Sequence, residues 1–395
     1  MQKLSGKERV GHLRNLCRTD LYFLLRYACN RQDVERPFLF EKCRAVQFNP
    51  DNRLDLWSRE HYKSTIITFA KTIQDILASH GDNPLHDREL TFGIFSHTRP
   101  IAKAFLSQIK TEFETNDRLK EWFPDVLYRH PGKESPKWSL DGGISVKRSS
   151  NPKEQTVEAW GVVDGQPTSK HFDVLVYDDL VTKESVSNPD QIKKTTDALA
   201  LSYNLGAQGG KRRFIGTRYH YNDTYKEIMD RGTAKPRIFP ATKNGKVGGE
   251  PVLLTREALE EKRRDMGPYI YACQMLQDPK QDGADGFDEG WLKHYRVEPV
   301  GTNNYIVVDP ANSKRKESDY TSIFVIGLGE DKNYYVLDMV RDRLNLRERT
   351  KLVFDLHKKW APLAVGYERY GMQADIEHIE DKMEQENYRF NLVAL

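Results

Sequence analysis

The stretch that most restricts how this chain can fold is a short apolar strand, Leu54-Asp-Leu56-Trp57, running through Ser58-Arg59-Glu-His-Tyr62 into Lys63-Ser64-Thr65. The apolar run Ile66-Ile67-Thr68-Phe69-Ala70 follows and predicts a helix to about Ser79. A phosphate-binding loop ends in this way: the lysine reaches the terminal phosphates and the next hydroxyl holds Mg²⁺. The pattern G-x-x-x-x-G-K-[ST] places glycine where this chain has Trp57 and Tyr62. Lysine followed by two hydroxyl residues is also an ordinary helix start, so the triplet alone leaves both readings open. Glycine lets backbone approach phosphate in unusual dihedrals, so Tyr62 must either take an ordinary conformation or hold a strained one. Arg59, four residues before Lys63, can supply charge that backbone amides otherwise supply.

At 395 residues the chain has room for roughly two to three domains. Leu13, Leu16, Leu21, Leu24 and Leu25 predict one or two amphipathic helices at the N-terminus, with Asp20 as a cap. After the loop, strand Leu90–Phe95 ends at Ser96-His97-Thr98, and Ile101–Phe113 has helical spacing. Strand, loop and helix repeat in this order in a parallel α/β sheet. Trp138–Arg148 and Thr156–Val163 are strand-like. Phe172-Asp-Val-Leu-Val-Tyr177 is a nearly continuous apolar strand, expected where both faces are covered, and it ends in Asp178-Asp179. Arg213–Thr217 reads as a further short strand. Short helices and turns fill about 225–300, where Asp278–Gly290 reads as a linker. A second α/β set follows: strands Tyr305–Asp309, Thr321–Gly327, Tyr334–Met339 and Leu363–Tyr367, helices near 346–358 and 372–385, and a strand-like end at Phe390–Leu395.

Two pairs of carboxylates stand at strand ends. Asp178 and Asp179 suit a nucleoside triphosphatase, the first holding Mg²⁺ and the second orienting the attacking water. Asp309 and Glu368 each close a strand of the second set, where an RNase H-like sheet brings such positions side by side to bridge divalent ions. Acids at strand ends also begin turns, so each pair alone permits that plainer reading. Asp319 is a possible helper or a turn residue. Basic and aromatic residues cluster at 211–213, 218–221 and 314–316, suited to a phosphate backbone or to a solvated face. Lys+Arg exceed Asp+Glu by only 61 to 58, so any basic surface is local. Cys17, Cys29, Cys43 and Cys273 lack C-x-x-C spacing and support neither a zinc site nor a disulfide framework. No apolar run reaches the ~18 residues of a membrane span.

The order of these motifs resembles the large terminase subunit of tailed bacteriophages, the ATP-driven DNA-packaging motor with an attached nuclease. The likeness is carried by Ser58–Thr65 as a deviant Walker A, Ile94-Phe-Ser96, Glu121-Trp-Phe-Pro124, and Val174–Asp179 as Walker B. Ile215-Gly216-Thr217-Arg218 stands as the coupling motif, with Tyr271–Pro279 before the linker and Val307-Val-Asp309-Pro310 opening the nuclease. The resemblance implies a P-loop-type parallel-sheet ATPase domain (1–225), a lid or linker (226–300), and a partial RNase H-like α/β nuclease domain (301–395). It implies ATP and Mg²⁺ bound by Ser58, Arg59, Lys63, Ser64, Thr65 and Asp178, with Gln47 at the adenine and Asp179 catalytic. Asp309 and Glu368 are then the nuclease ligands of Mg²⁺ or Mn²⁺. Implied partners are double-stranded DNA, a portal protein, a small terminase subunit and further copies in a ring, in the host cytoplasm without a membrane. Arg148 is a candidate arginine finger acting in trans.

Two departures accompany the likeness. The family usually has Glu after the Walker B Asp, where this chain has Asp179, and its third nuclease carboxylate has no match after Glu368, so the chain reads as a fragment. The rival readings are another DNA-dependent, helicase-like ATPase with a structural second domain, and a non-catalytic DNA-binding assembly module.

Overall fold

The computed structural model describes residues 5–82, 84–279, 293–297, 299–311, 320–368 and 373–395. The chain divides into two compact units, Met1–Asp288 and Glu289–Leu395.

The first unit is built on eight strands: β1 (Arg53–Trp57), β2 (Phe92–Ser96), β3 (Trp138–Ser139), β4 (Gly143–Ile144), β5 (Val157–Gly161), β6 (Phe172–Asp178), β7 (Gly206–Gly216) and β8 (Lys235–Phe239). Their order is β3-β4-β5-β2-β6-β7-β1-β8. The pairs from β5 to β8 are parallel, and among the described strands of this sheet β4 alone is reversed, antiparallel to both β3 and β5. Every residue of β6 is buried, which explains its apolar sequence: helices cover both faces. One face packs Val174, Val176, Phe92 and Ile94 against Ile66, Ile67, Ile73 and Leu77. The other packs Leu175, Tyr177, Phe214 and Tyr225, with the Tyr177 and Phe214 rings stacked at 5.0 Å. The helix after the loop has i→i+5 turns over Thr65–Lys71 and α turns over Thr72–Ser79, and it is buried from Ile66 onward. The buried stretch is not wholly apolar: it carries Lys71, Gln74 and Asp75, and Lys71 pairs with Asp75 inside the unit.

Three elements differ from expectation. Trp138–Arg148 pairs only at its two dipeptides because a turn over 140–142 interrupts it. β7 spans eleven residues, its glycine-rich start lacking the side chains that mark a strand. Lys235-Pro-Arg-Ile-Phe239 forms the sheet edge, the position where Pro236 can sit without breaking a ladder. Arg237 forks onto the buried Asp55 of β1 at 2.6 and 2.8 Å, pairing a carboxylate that would otherwise be stranded.

The second unit contains β9 (Asn303–Asp309), β10 (Thr321–Leu328), β11 (Tyr334–Asp342), β12 (Ala364–Tyr367) and β13 (Leu392–Ala394), in the order β11-β10-β9-β12-β13. The first three are antiparallel, and β12 and β13 then run parallel to β9. Helices Leu346–Trp360 and Gln373–Gln385 make the crossovers. This is the connectivity of an RNase H-like α/β sheet. Val308, Ile323, Val325, Val365 and Tyr367 bury one sheet face against Val353, Phe354, Ile379 and Met383. All four cysteines are free and buried. Among the described residues no helix is long and apolar enough to cross a membrane.

Candidate functional site

Parallel α/β sheets bind ligands beyond the carboxyl ends of their strands. At that edge, β1 delivers the loop at 58–64, β6 delivers Asp178 and β2 delivers Ser96. The loop takes the backbone form that a glycine pattern would give: Glu60 and Tyr62 have φ of 61° and 62°. Tyr62 thus holds the left-handed conformation without being glycine, at a cost of about 1 kcal/mol. Its half-buried ring packs against the first core, and its hydroxyl bonds Asp33. Contacts from elsewhere in the unit fix the loop. Ser58 Oγ donates to Met275 O at 2.5 Å, Ser58 N to Phe239 O at 3.0 Å and Arg59 N to Gln274 O at 3.2 Å. The buried His61 has Nδ1 2.7 Å from Arg59 O.

Tyr62→Gly is expected to relieve the backbone and lose the ring's packing, changing stability by no more than about 1 kcal/mol. Tyr62→Val, β-branched at positive φ, should be less stable than Tyr62→Gly by about 1–2 kcal/mol. Equal thermal stability of the two variants would show that the loop backbone does not matter.

Asp178 gathers the loop's functional groups. It is fully buried, and Thr68 Oγ1 donates to its Oδ2 at 2.5 Å. Ser64 also hydrogen-bonds it, and the Lys63 ammonium acts on it electrostatically. Burial and the neighbouring Asp179 carboxylate nevertheless push Asp178 up to about 7, outweighing these favourable partners. Its Oδ1 is buried without a partner, as is the hydroxyl of Ser96 on the adjoining strand. A buried carboxylate oxygen without a donor, beside a lysine and a serine hydroxyl, fits a hard divalent cation.

Asp179, at φ 50°, turns out of the strand. Its N–H donates to Ile215 O and its carbonyl accepts from His97 N, both at 3.2 Å, so three strand ends hold it. Gly216 lies against Tyr225: an added Cβ would stand 2.0 Å from the phenol oxygen. Thr217 Oγ1 donates to Trp57 O at 3.4 Å, joining the end of β7 to the loop.

The other expected residues fall as follows. The Arg59 guanidinium donates to the Tyr219 hydroxyl and lies over its ring at 5.8 Å. Thr65 lines a hollow of about 510 Å³ with Arg31, Asp33, Arg36, Tyr62 and Leu253, of a size for a nucleoside. Gln47, expected at the adenine, has its amide oxygen committed to Leu21 N at 2.7 Å and Gln74 Nε2 at 3.1 Å, where it ties the N-terminal helices together. The Ser58 hydroxyl is likewise spent on the loop's own anchorage. Arg148 donates to Glu154 O at 2.7 Å and acts on His80, at the opposite, amino edge of the sheet. In two of the basic clusters one arginine is internal: Arg213 is buried between Asp51 and Asp75, and Arg218 between Asp223 and two carbonyls, while Lys211 and Tyr221 are exposed. Lys314-Arg315-Lys316 and Asp319 lie outside the described residues.

Thr68 carries no site role in the sequence, where it is one residue of an apolar run, although it touches Asp178. The signal was a single hydroxyl in an apolar run, one helical turn after Ser64.

In the second unit, Tyr367 pairs with Val308, and Glu368 N donates to Val308 O at 3.0 Å, which sets Glu368 beside Asp309. The two carboxyls hydrogen-bond each other, and the bond and charge of Asp309 raise Glu368 above the ordinary range. Adjacent carboxyls that share a proton can exchange it for a divalent cation. Among the described residues no cluster of three or more metal-ligating side chains occurs. Downstream, Asp375 is committed to Arg349 at 2.5 and 3.0 Å and to the Tyr367 hydroxyl at 2.6 Å.

No family model matches the sequence, and no curated protein matches it. Among solved structures, the chain is similar to the large terminase of bacteriophage HK97, over 91% of this chain and 80% of that one, at 11% identity and a TM-score of 0.42.

Proposed function

We propose that this chain is a large terminase subunit: an ATP-driven motor that moves double-stranded viral DNA into a capsid, joined to a metal-dependent endonuclease that cuts the concatemer. The observation that carries the motor reading is the meeting of Lys63, Ser64 and Thr68 at the buried Asp178. A strand-end carboxylate, a loop lysine and a helix-start hydroxyl are the groups that serve the terminal phosphates and Mg²⁺ of a nucleoside triphosphate, which supports this reading.

Ser64 and Asp178 would hold Mg²⁺, which when bound would supply neutralisation of phosphate charge. Lys63 binds the terminal phosphates, and Thr68 keeps Asp178 aimed toward the loop. Asp179 accepts the proton of the attacking water and orients it; its short side chain makes the strained backbone at φ 50° part of its aim. Arg59 exchanges the Tyr219 hydroxyl for phosphate. The hollow beside Thr65 receives the nucleoside. In the second unit Asp309 and Glu368 would hold Mg²⁺ or Mn²⁺, which when bound would supply activation of water against the phosphodiester. A portal, a small terminase subunit and other copies of the chain are the partners of such a motor in the host cytoplasm, and Arg148 is a candidate to reach a neighbour's site.

Binding of a fluorescent ATP analogue in Mg²⁺ tests the site. Lys63→Ala is expected to weaken it at least about tenfold and Arg59→Ala less, each loss reflecting a charge-assisted contact. Equal affinity in wild type and both variants removes the nucleotide from this loop.

A further inference from the structure

The register of the second sheet extends the Asp309–Glu368 pair into a longer row. Asp309 pairs with Ser322 on β10, and Ser322 pairs with Arg341 on β11. Directly paired residues share a sheet face. The alternate residues Val308 and Ile323 are buried beneath the helices, which sends Asp309, Ser322 and Arg341 to the opposite face. Glu368 keeps the same phase, two residues after Gly366 and one after the buried Tyr367. Four strands thus present carboxylate, carboxylate, hydroxyl and guanidinium in one line. At about 4.8 Å per strand, Arg341 stands roughly 10 Å from Asp309.

Arg341 does not stand alone. Its guanidinium lies 4.2 Å from the centre of the Tyr320 ring, and that of Arg343 lies 4.3 Å from the same centre. Arg341 and the Tyr320 ring are exposed. Tyr320 is placed by the strand entry behind it: Thr321 is buried and its hydroxyl accepts from Ala311 N at 3.1 Å, tying the exit of β9 to the entry of β10. Arg349 Nη1 donates to Ala311 O at 2.8 Å and holds the same corner from the helix. Two guanidinium groups beside one exposed ring concentrate positive charge on this face, where an anion can bind. Guanidinium groups suit phosphate oxygens in particular.

We propose that Arg341 and Arg343, stacked on Tyr320, form a phosphate-backbone seat that holds a nucleic-acid strand across the sheet so that a phosphodiester lies over Asp309 and Glu368. The proposal rests on the nuclease reading of that pair. The seat binds backbone charge, so its contribution is independent of base sequence and falls with salt.

The test uses the full chain and a labelled duplex oligonucleotide, with anisotropy measured in EDTA over a salt series and plasmid nicking measured in Mn²⁺. Arg341→Ala should lower the slope of log affinity against log salt by about 0.9, and Arg341→Ala with Arg343→Ala by about 1.8, one phosphate contact per cation. Both should raise KM for plasmid about tenfold or more while kcat stays within about twofold. Arg341→Lys should restore most of the slope, which a purely structural role would not. Should the double variant match wild type in slope and KM while Asp309→Asn no longer nicks, the seat is wrong and the nuclease reading survives. Wild-type nicking by Asp309→Asn defeats the nuclease reading instead, and the salt slope alone then decides the seat. A wild-type chain without salt-dependent duplex binding overturns the seat outright.

Discussion

Asp178→Asn is expected to abolish ATP turnover while making the metal-free protein more stable. Asparagine keeps an oxygen for the Thr68 hydroxyl but removes a charge from a fully buried site. The carboxyl titrates at about 7 in the fold against a reference of 3.8. A raised folded value means that the native state binds more protons than the unfolded chain between these limits, so the wild type loses stability as pH rises through that window. The variant has no such loss. Its advantage in EDTA should therefore be small near pH 4, grow toward pH 7 and level off above, reaching on the order of a few kcal/mol. Turnover should fall by about 10³ or more, because the group that would hold the cation is gone. Thermal melts across pH beside steady-state hydrolysis check both halves. A variant destabilised at pH 8, or one that keeps turnover, contradicts the role given to Asp178.

Asp309→Asn is expected to abolish Mn²⁺-dependent plasmid nicking. The hydrogen bond and charge of Asp309 raise Glu368, and a divalent cation between the two carboxyls would relieve that conflict. With asparagine at 309 the conflict disappears and so does half of the anionic site. The loss should exceed about 10², and ATP turnover should stay within about twofold, since Lys63 and Asp178 belong to the other unit. Full nicking by the variant would leave the second unit without a catalytic role and favour the helicase-like alternative.

Much of this was readable in the sequence wherever burial or periodicity dictates residue type. β6 could be found because a strand covered on both faces must be apolar throughout, and its acidic end follows from its carboxyl edge. Asp309 and Glu368 could be placed side by side because each closes a strand of one sheet. Tyr62 was an open question in the sequence, since a non-glycine side chain at positive φ is set by its surroundings, here Asp33 and the loop's anchors. The contact of the Gln47 amide oxygen with Leu21 N was not readable, because no local pattern reveals a backbone partner distant in sequence. Arg213 looked like surface charge, yet Asp51 and Asp75, far from it in sequence, bury it. β8 stayed hidden because an edge strand tolerates proline and exposed isoleucine alike.

The most direct measurement of the central claim is steady-state ATP hydrolysis by the full chain in Mg²⁺, with and without linear duplex DNA, for wild type beside Lys63→Ala. Duplex DNA should raise wild-type turnover several-fold, and Lys63→Ala should stay at least about 10² below wild type in both conditions. Turnover of wild type no higher than that of Lys63→Ala would contradict the motor and leave a DNA-binding assembly module in its place.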